Sequence, residues 1–103
     1  MIKMILDDSR EFPENGGYTC VRTYKDCVLL LSVFRSVDFI SLDYDISEEH
    51  TGYDVLVFMH ENNIKVDHIN IHSNHQIGIP IMEKYVMENF PNTKLTKNSL
   101  NIN

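Results

Sequence analysis

Hydrophobic residues along the chain fall into short runs that alternate with longer amphipathic segments. Five runs have the length and the apolar or β-branched content of strands, and strands are predicted at 2–6, 18–22, 38–42, 66–72 and 93–96. Three segments carry apolar residues at helical spacing, which predicts helices over 24–34, 52–63 and 76–90. This alternation indicates an α/β fold with a parallel sheet and right-handed crossovers, most simply in the order 2-1-3-4-5.

The segment between the first two predicted strands lacks a helical pattern. Residues 9–17 are dense in turn formers and contain Pro13 and the run Asn15-Gly16-Gly17. A three-layer, doubly wound sheet normally has its first helix here, so we expect a degenerate first helix, replaced by a long loop that covers that face or lies over the site. The 103 residues fit one domain, 1–103, with a polar tail at 98–103 that is expected to fray.

Net charge, the length of the apolar runs and the cysteine spacing limit which ligands and which cellular location are expected. A formal net charge of −6 argues against broad binding to a nucleic-acid backbone, but it allows a small phosphorylated ligand held through a metal. No apolar run approaches the roughly 20 residues that span a bilayer, and the first residues lack signal-peptide features, so we expect a cytoplasmic protein without a membrane partner. Cys20 and Cys27 lack paired CxxC spacing and are expected to be reduced thiols.

Polar residues stand at the ends of three predicted strands. Asp7 and Asp8 follow the first strand and Asp43 and Asp45 follow the third, while His72 ends the fourth. In the predicted order these strands are neighbours, so their carboxyl ends meet at one edge of the sheet. Crowded carboxylates repel one another and favour a divalent cation, and oxygen ligands suit Mg²⁺. The four acids are therefore predicted metal ligands.

Such a site suits phosphoryl or phosphodiester chemistry. An imidazole can move a proton near neutral pH, and Arg10 could bind a phosphate bidentately or form a surface salt bridge. Ser73 could bind a phosphate oxygen or cap the next helix, and Tyr44 could face the core or stack on a base. The predicted catalytic residues are His72, Asp43 and His75, and the predicted substrate-binding residues are Arg10, Tyr44, Ser73 and Asn74. The remaining histidines share no metal-ligand spacing and are expected at the surface: His50, His60 and His68.

Four groups of residues together resemble the cyclic-phosphate-processing receiver-like domain family. They are Leu6-Asp7-Asp8 with Arg10 and Pro13, the run 40–45, the run 51–55, and Ile71-His72-Ser73 with Gly78 and Met82. The resemblance extends from residue 2 to about residue 90 and implies the flavodoxin-like fold of response-regulator receivers. It also implies processing, such as ring opening, of a cyclic phosphate on a nucleotide or at an RNA end.

Two departures from that family concern the candidate site. The family usually has His at the position of Tyr44 and Asn at the position of His75. The chain could therefore bind its ligand without turning it over, or His75 could supply the imidazole from the neighbouring loop.

Two other functions fit parts of the pattern. A phosphorelay receiver would use the first acidic pair for magnesium and Asp43 as the phosphoacceptor. It would also need a lysine followed by proline after the fifth strand, and neither Lys94 nor Lys97 precedes a proline. A non-catalytic protein that sequesters a cyclic nucleotide would need no more than one metal or one arginine.

Overall fold

The computed structural model describes residues 1–9 and 16–98. Its elements follow in the order β1 (Lys3–Leu6), β2 (Tyr18–Val21), α1 (Tyr24–Phe34), β3 (Ser36–Leu42), α2 (Gly52–Glu61), β4 (Lys65–Ile71), α3 (Gly78–Asn89) and β5 (Lys94–Lys97). The strands form one parallel sheet in the order β2-β1-β3-β4-β5. The predicted flavodoxin-like α/β fold and its strand order are confirmed.

The three helices lie on one face of the sheet. Each crossover that contains a helix steps in the same direction along the sheet, so right-handed connections place α1, α2 and α3 side by side, with α2 in contact with both others. The core lies between this layer and the sheet, and its buried strand residues include Met4, Leu6, Ile40, Leu42, Ile69 and Ile71. The predicted second helical layer has no counterpart among residues 1–9 and 16–98. The predicted loop at 9–17 falls mainly on residues 10–15, outside the described ranges.

Local hydrogen bonds account for where two helices begin. The side chain of Thr23 accepts from the backbone N–H of Asp26 at 3.1 Å and so caps the N-terminus of α1. Helix α3 begins two residues later than predicted, because the imidazole Nδ1 of His75 accepts from the backbone N–H of Gly78 at 2.8 Å. A side chain from the loop thus satisfies a free N–H of the first turn.

None of the helices in the described part of the chain is long and apolar enough to cross a bilayer. Cys20 is exposed and Cys27 is buried, and both are free cysteines.

Helix α2 packs closely against the backbone at the end of β3. The N–H of Gly52 donates to the carbonyl of Tyr44 at 3.0 Å, and a Cβ at Gly52 would lie 2.1 Å from the carbonyl oxygen of Asp43. Only glycine lets the first turn of α2 come this close to Asp43. The helix therefore sets the position of this carboxylate through the backbone.

Gly52→Ala is expected to destabilise the fold by about 1–3 kcal/mol, because the added methyl group displaces the Asp43 backbone. Urea unfolding followed by circular dichroism measures the change, with Ser32→Ala on the exposed face of α1 as the control. An unfolding midpoint equal to that of the parent protein would show that the end of β3 can shift without loss of stability.

Candidate functional site

The carboxyl ends of β1, β3 and β4 lie at one edge of the sheet. Leu6 pairs with Leu42 and Leu42 with Ile71, so the residues that follow each of them stand at the same level. A cavity of about 450 Å³ opens at this edge. Its lining residues are Asp8, Ser9, Asp43, Asp45, Ser47, Ser73, Asn74 and His75.

Asp7, Asp43 and His72 form a compact cluster at the base of this edge. One potential ligand atom from each lies within 4.8 Å of the other two. Asp7 is 3% exposed, and its Oδ2 lies 3.0 Å from Nε2 of His72. Two carboxylates and an imidazole at this spacing could hold a metal ion.

Within this cluster the carboxyl group of Asp43 has a raised pKa. Desolvation by its surroundings and repulsion by Asp7 raise the pKa of Asp43 from 3.8 to about 6. The hydroxyl of Ser73 and the backbone N–H of Tyr44 donate to the carboxylate and offset part of that rise, while Asp8 adds to it. A bound cation would favour the ionised form, so protons and cations compete for this group.

Groups on Ser9, Val21 and Arg22 also hold Asp7 in place. Its Oδ1 accepts from the N–H of Ser9 at 3.0 Å, and its own N–H donates to the carbonyl of Val21 at 3.1 Å. The guanidinium Nη1 of Arg22 donates to the carbonyl of Asp7 at 2.9 Å. Our sequence reasoning missed Arg22 as a site residue. Its position directly after β2, the neighbour of β1, was the available signal.

His72 lies beneath the cavity. The side chain is 2% exposed, and its Nδ1 lies 2.5 Å from the hydroxyl of Ser41 while Nε2 faces Asp7. Both ring nitrogens therefore have partners in the protein. Sequence reasoning also missed Ser41 on β3, because a serine inside an apolar strand gives no sequence signal of its own.

His75 stands at the cavity wall. Its N–H donates to the hydroxyl oxygen of Ser73 at 3.1 Å, and its ring packs on Tyr44 with centroids 4.5 Å apart. Because Nδ1 accepts from the N–H of Gly78, a neutral ring carries its proton on Nε2. Asn74, next to it, is an exposed lining residue.

The other predicted site residues are distributed as follows. Asp8 and Asp45 line the cavity, and Oδ1 of Asp45 accepts from the N–H of Ser47 at 3.0 Å. Tyr44 is half-buried against Gly78 and His75 and is not among the described lining residues. Arg10 lies outside the described residues. The structure thus brings together Asp7, Asp8, Asp43, Asp45, His72, Ser73, Asn74 and His75.

The lysine nearest the end of β5 is held elsewhere. Nζ of Lys97 lies 3.0 Å from a carboxylate oxygen of Glu83 on α3. In the described ranges no lysine or arginine lines the cavity. An anionic ligand in the cavity would therefore face the carboxylates of Asp8, Asp43 and Asp45 without a lysine or arginine from the described residues beside it.

The chain matches a known protein family. The model of the family described as the cyclic-phosphate processing receiver domain matches residues 2–88, from the residue before β1 into the last turn of α3. No curated protein and no solved structure matches the chain significantly.

Proposed function

This chain belongs to the cyclic-phosphate processing receiver domain family, and on that basis we propose that it opens the ring of a cyclic phosphate with the help of Mg²⁺. The substrate class is a cyclic nucleotide or the cyclic end of an RNA. One observation carries the proposal: Asp7 and Asp43 converge at a polar cavity whose wall presents His75. The family connects the chain with cyclic phosphates, and the chemistry of the cavity supports a metal-assisted step.

The residues present fit a hard divalent cation. Asp7 and Asp43 supply oxygen ligands, and Asp8 and Asp45 line the cavity beside them. Desolvation and then repulsion by Asp7 raise the pKa of Asp43, and a nearby cation would relieve the repulsion. When bound, Mg²⁺ would neutralise this charge, polarise the phosphate and acidify a water molecule.

The cavity suits a small phosphorylated ligand. Its volume of about 450 Å³ lies within the roughly 300–1,000 Å³ typical of small-molecule sites. Ser47, Ser73 and Asn74 offer polar groups for phosphate or ribose oxygens. Because three carboxylates line the cavity and no lysine or arginine of the described residues does, binding of the anion depends on the metal, so affinity should fall sharply when EDTA is present.

Ring opening needs one proton taken from water and one returned to the leaving oxygen. The water oxygen forms a new bond to phosphorus, one ring P–O bond breaks, and the product is a phosphomonoester with a free hydroxyl. We assign proton movement to Nε2 of His75, which lies at the cavity, and not to His72. His72 is buried with both nitrogens engaged, so its role is to hold Asp7.

Incubation with a 2′,3′-cyclic mononucleotide and Mg²⁺, followed by phosphorus NMR, tests the proposal. Conversion of the cyclic signal into a monoester signal is the expected result. Tight binding of unchanged nucleotide would instead support a sequestering protein. Formation of an acyl phosphate from a small phosphodonor would support a phosphorelay receiver, although Lys97 at the end of β5 is paired with Glu83 and is not among the described lining residues.

A further inference from the structure

A continuous chain of side-chain hydrogen bonds runs across the sheet from β5 to the site. Nε2 of His68 lies 2.7 Å from Oγ1 of Thr96, which lies 2.7 Å from Oδ1 of Asn70. Nδ2 of Asn70 lies 2.9 Å from Oγ of Ser41, which lies 2.5 Å from Nδ1 of His72. The chain ends at Asp7, 3.0 Å from Nε2 of His72. We call these six side chains the polar ladder.

Strand register explains why the ladder forms. Ser41 pairs with Asn70 and Asn70 with Thr96, so the three side chains stand in one row on the same face of β3, β4 and β5. This face is opposite the one that packs on the helices, because the adjacent residues Ile40, Leu42, Ile69 and Ile71 belong to the core. Ser41 and Asn70 are fully buried, so each bond of the row replaces a bond to water.

The carboxylate end fixes the direction of the bonds near the site. An ionised Asp7 only accepts, so Nε2 of His72 must carry the proton that it donates. Nδ1 of a neutral His72 then accepts, which obliges the hydroxyl of Ser41 to donate to it. The oxygen of Ser41 in turn accepts from the amide N–H of Asn70.

The same logic continues to β5. With its amide nitrogen directed at Ser41, Asn70 presents its oxygen to Thr96, whose hydroxyl donates to it. The oxygen of Thr96 is then left to accept from Nε2–H of His68. Each of these donors therefore points along the row toward Asp7, and reversing the two links at Asn70 requires the asparagine amide to turn over.

We propose that Ser41, Asn70, Thr96 and His68 are positioning residues that hold His72 as its Nε2–H tautomer and aim that N–H at Asp7. Through side chains on β3, β4 and β5, the ladder thereby orients the carboxylate of Asp7, which is a ligand in the proposed metal site. Outer partners of metal ligands commonly change metal affinity or activity by 10–100-fold. This consequence for the metal rests on the proposed function, whereas the tautomer itself does not.

Imidazole nitrogen NMR of the metal-free protein tests the ladder directly. Both His68 and His72 are expected to show a protonated Nε2 and an unprotonated Nδ1, although they stand at opposite ends of the row. A protonated Nδ1 in a neutral His72 ring would overturn the inference. So would a His68 ring that carries its proton on Nδ1 and accepts at Nε2.

Two variants change the ladder in different ways. Ser41→Ala removes the donor to His72, so the Nδ1 resonance should move toward that of a nitrogen without a hydrogen bond. Asn70→Asp keeps the side-chain shape but loses the N–H donor, so the hydroxyl of Ser41 should turn toward the new carboxylate and Nδ1 of His72 should lose its hydrogen bond. The second spectrum is read where the carbon shift of the new carboxyl group shows it ionised. An unchanged Nδ1 resonance in either folded variant would refute the ladder.

Matched controls and a metal titration complete the experiment. Ser32→Ala on α1 and Asn62→Asp just after α2 repeat the same changes at exposed positions and should leave the His72 signals unchanged. Ser41→Ala should weaken Mg²⁺ binding by about 10-fold, whereas equal affinity would refute the effect of the ladder on the metal. If the parent protein opens no cyclic phosphate but shows the expected tautomers, the proposed function fails and the positioning role stands.

Discussion

Asp43→Asn is expected to stabilise the metal-free protein near pH 8 and to abolish its stabilisation by Mg²⁺. Desolvation and repulsion by Asp7 raise the pKa of Asp43 from its ordinary value of 3.8 to about 6 in the folded protein. The folded state therefore binds a proton at this carboxylate more tightly than the unfolded state does. Ionised Asp43 therefore lowers stability above that pKa, and the loss disappears as the pH falls from about 6 toward 4. Because the side chain is half-exposed, we expect a gain of only about 1 kcal/mol.

Thermal unfolding near pH 8 and near pH 4, with EDTA or with excess Mg²⁺, measures both parts of this prediction. The asparagine variant should melt higher than the parent near pH 8 with EDTA, and the difference should vanish near pH 4. With Mg²⁺ only the parent should gain stability, since the variant lacks one charged ligand. Asp67→Asn, on an exposed position of β4, is the control. Equal gains from Mg²⁺ in both proteins would place the metal elsewhere.

His75→Asn is expected to reduce turnover of the cyclic phosphate by about 10²–10⁴-fold, the usual contribution of a proton-transferring group. Asparagine is a favoured residue for capping helix N-termini, so it can still accept from the N–H of Gly78 and keep the start of α3. Mg²⁺ affinity should stay within about twofold, because His75 is not in the Asp7 cluster. Steady-state kinetics and a metal titration give the two values.

A double variant tests whether an imidazole at the position of Tyr44 can replace the imidazole of His75. The related family usually has His at the position of Tyr44 and Asn at that of His75, and the two rings are in contact here. Tyr44→His combined with His75→Asn should therefore recover much of the lost turnover. Full activity in the single variant His75→Asn would assign the proton to another group.

His72→Ala serves as the contrast, because its main effect should be on the fold. Removal of the ring leaves buried Asp7 without this partner and Ser41 without an acceptor. Leaving a buried hydrogen-bonding group without its partner costs about 1–3 kcal/mol, and more when the group is charged, and chemical unfolding would measure the loss. Turnover should also fall, since Asp7 loses its orientation. A folded variant of parental stability would contradict the structural role.

Much of the site could be located from strand ends alone. The apolar runs before Asp7 and Asp43 marked two strands, and parallel order placed their ends side by side. Periodicity could not show which polar side chains share a face with them. Ser41 lies inside an apolar run, and His68 looked like a surface histidine, yet strand register connects both to His72. Arg22 was missed because the contact of its guanidinium with Asp7 is made across neighbouring strands.

The amino-acid sequence by itself determined the alternation of strands and helices, the order of the sheet and the acidic edge. These features follow from hydrophobic spacing and from the handedness of crossovers, both of which are local properties of the chain. Only the tertiary structure decided that His72 lies below the cavity, that His75 stands at its wall and that a hydrogen-bonded row reaches Asp7 from β5. Distances between side chains on different strands depend on register and burial, and these arise when the whole sheet packs against its helices.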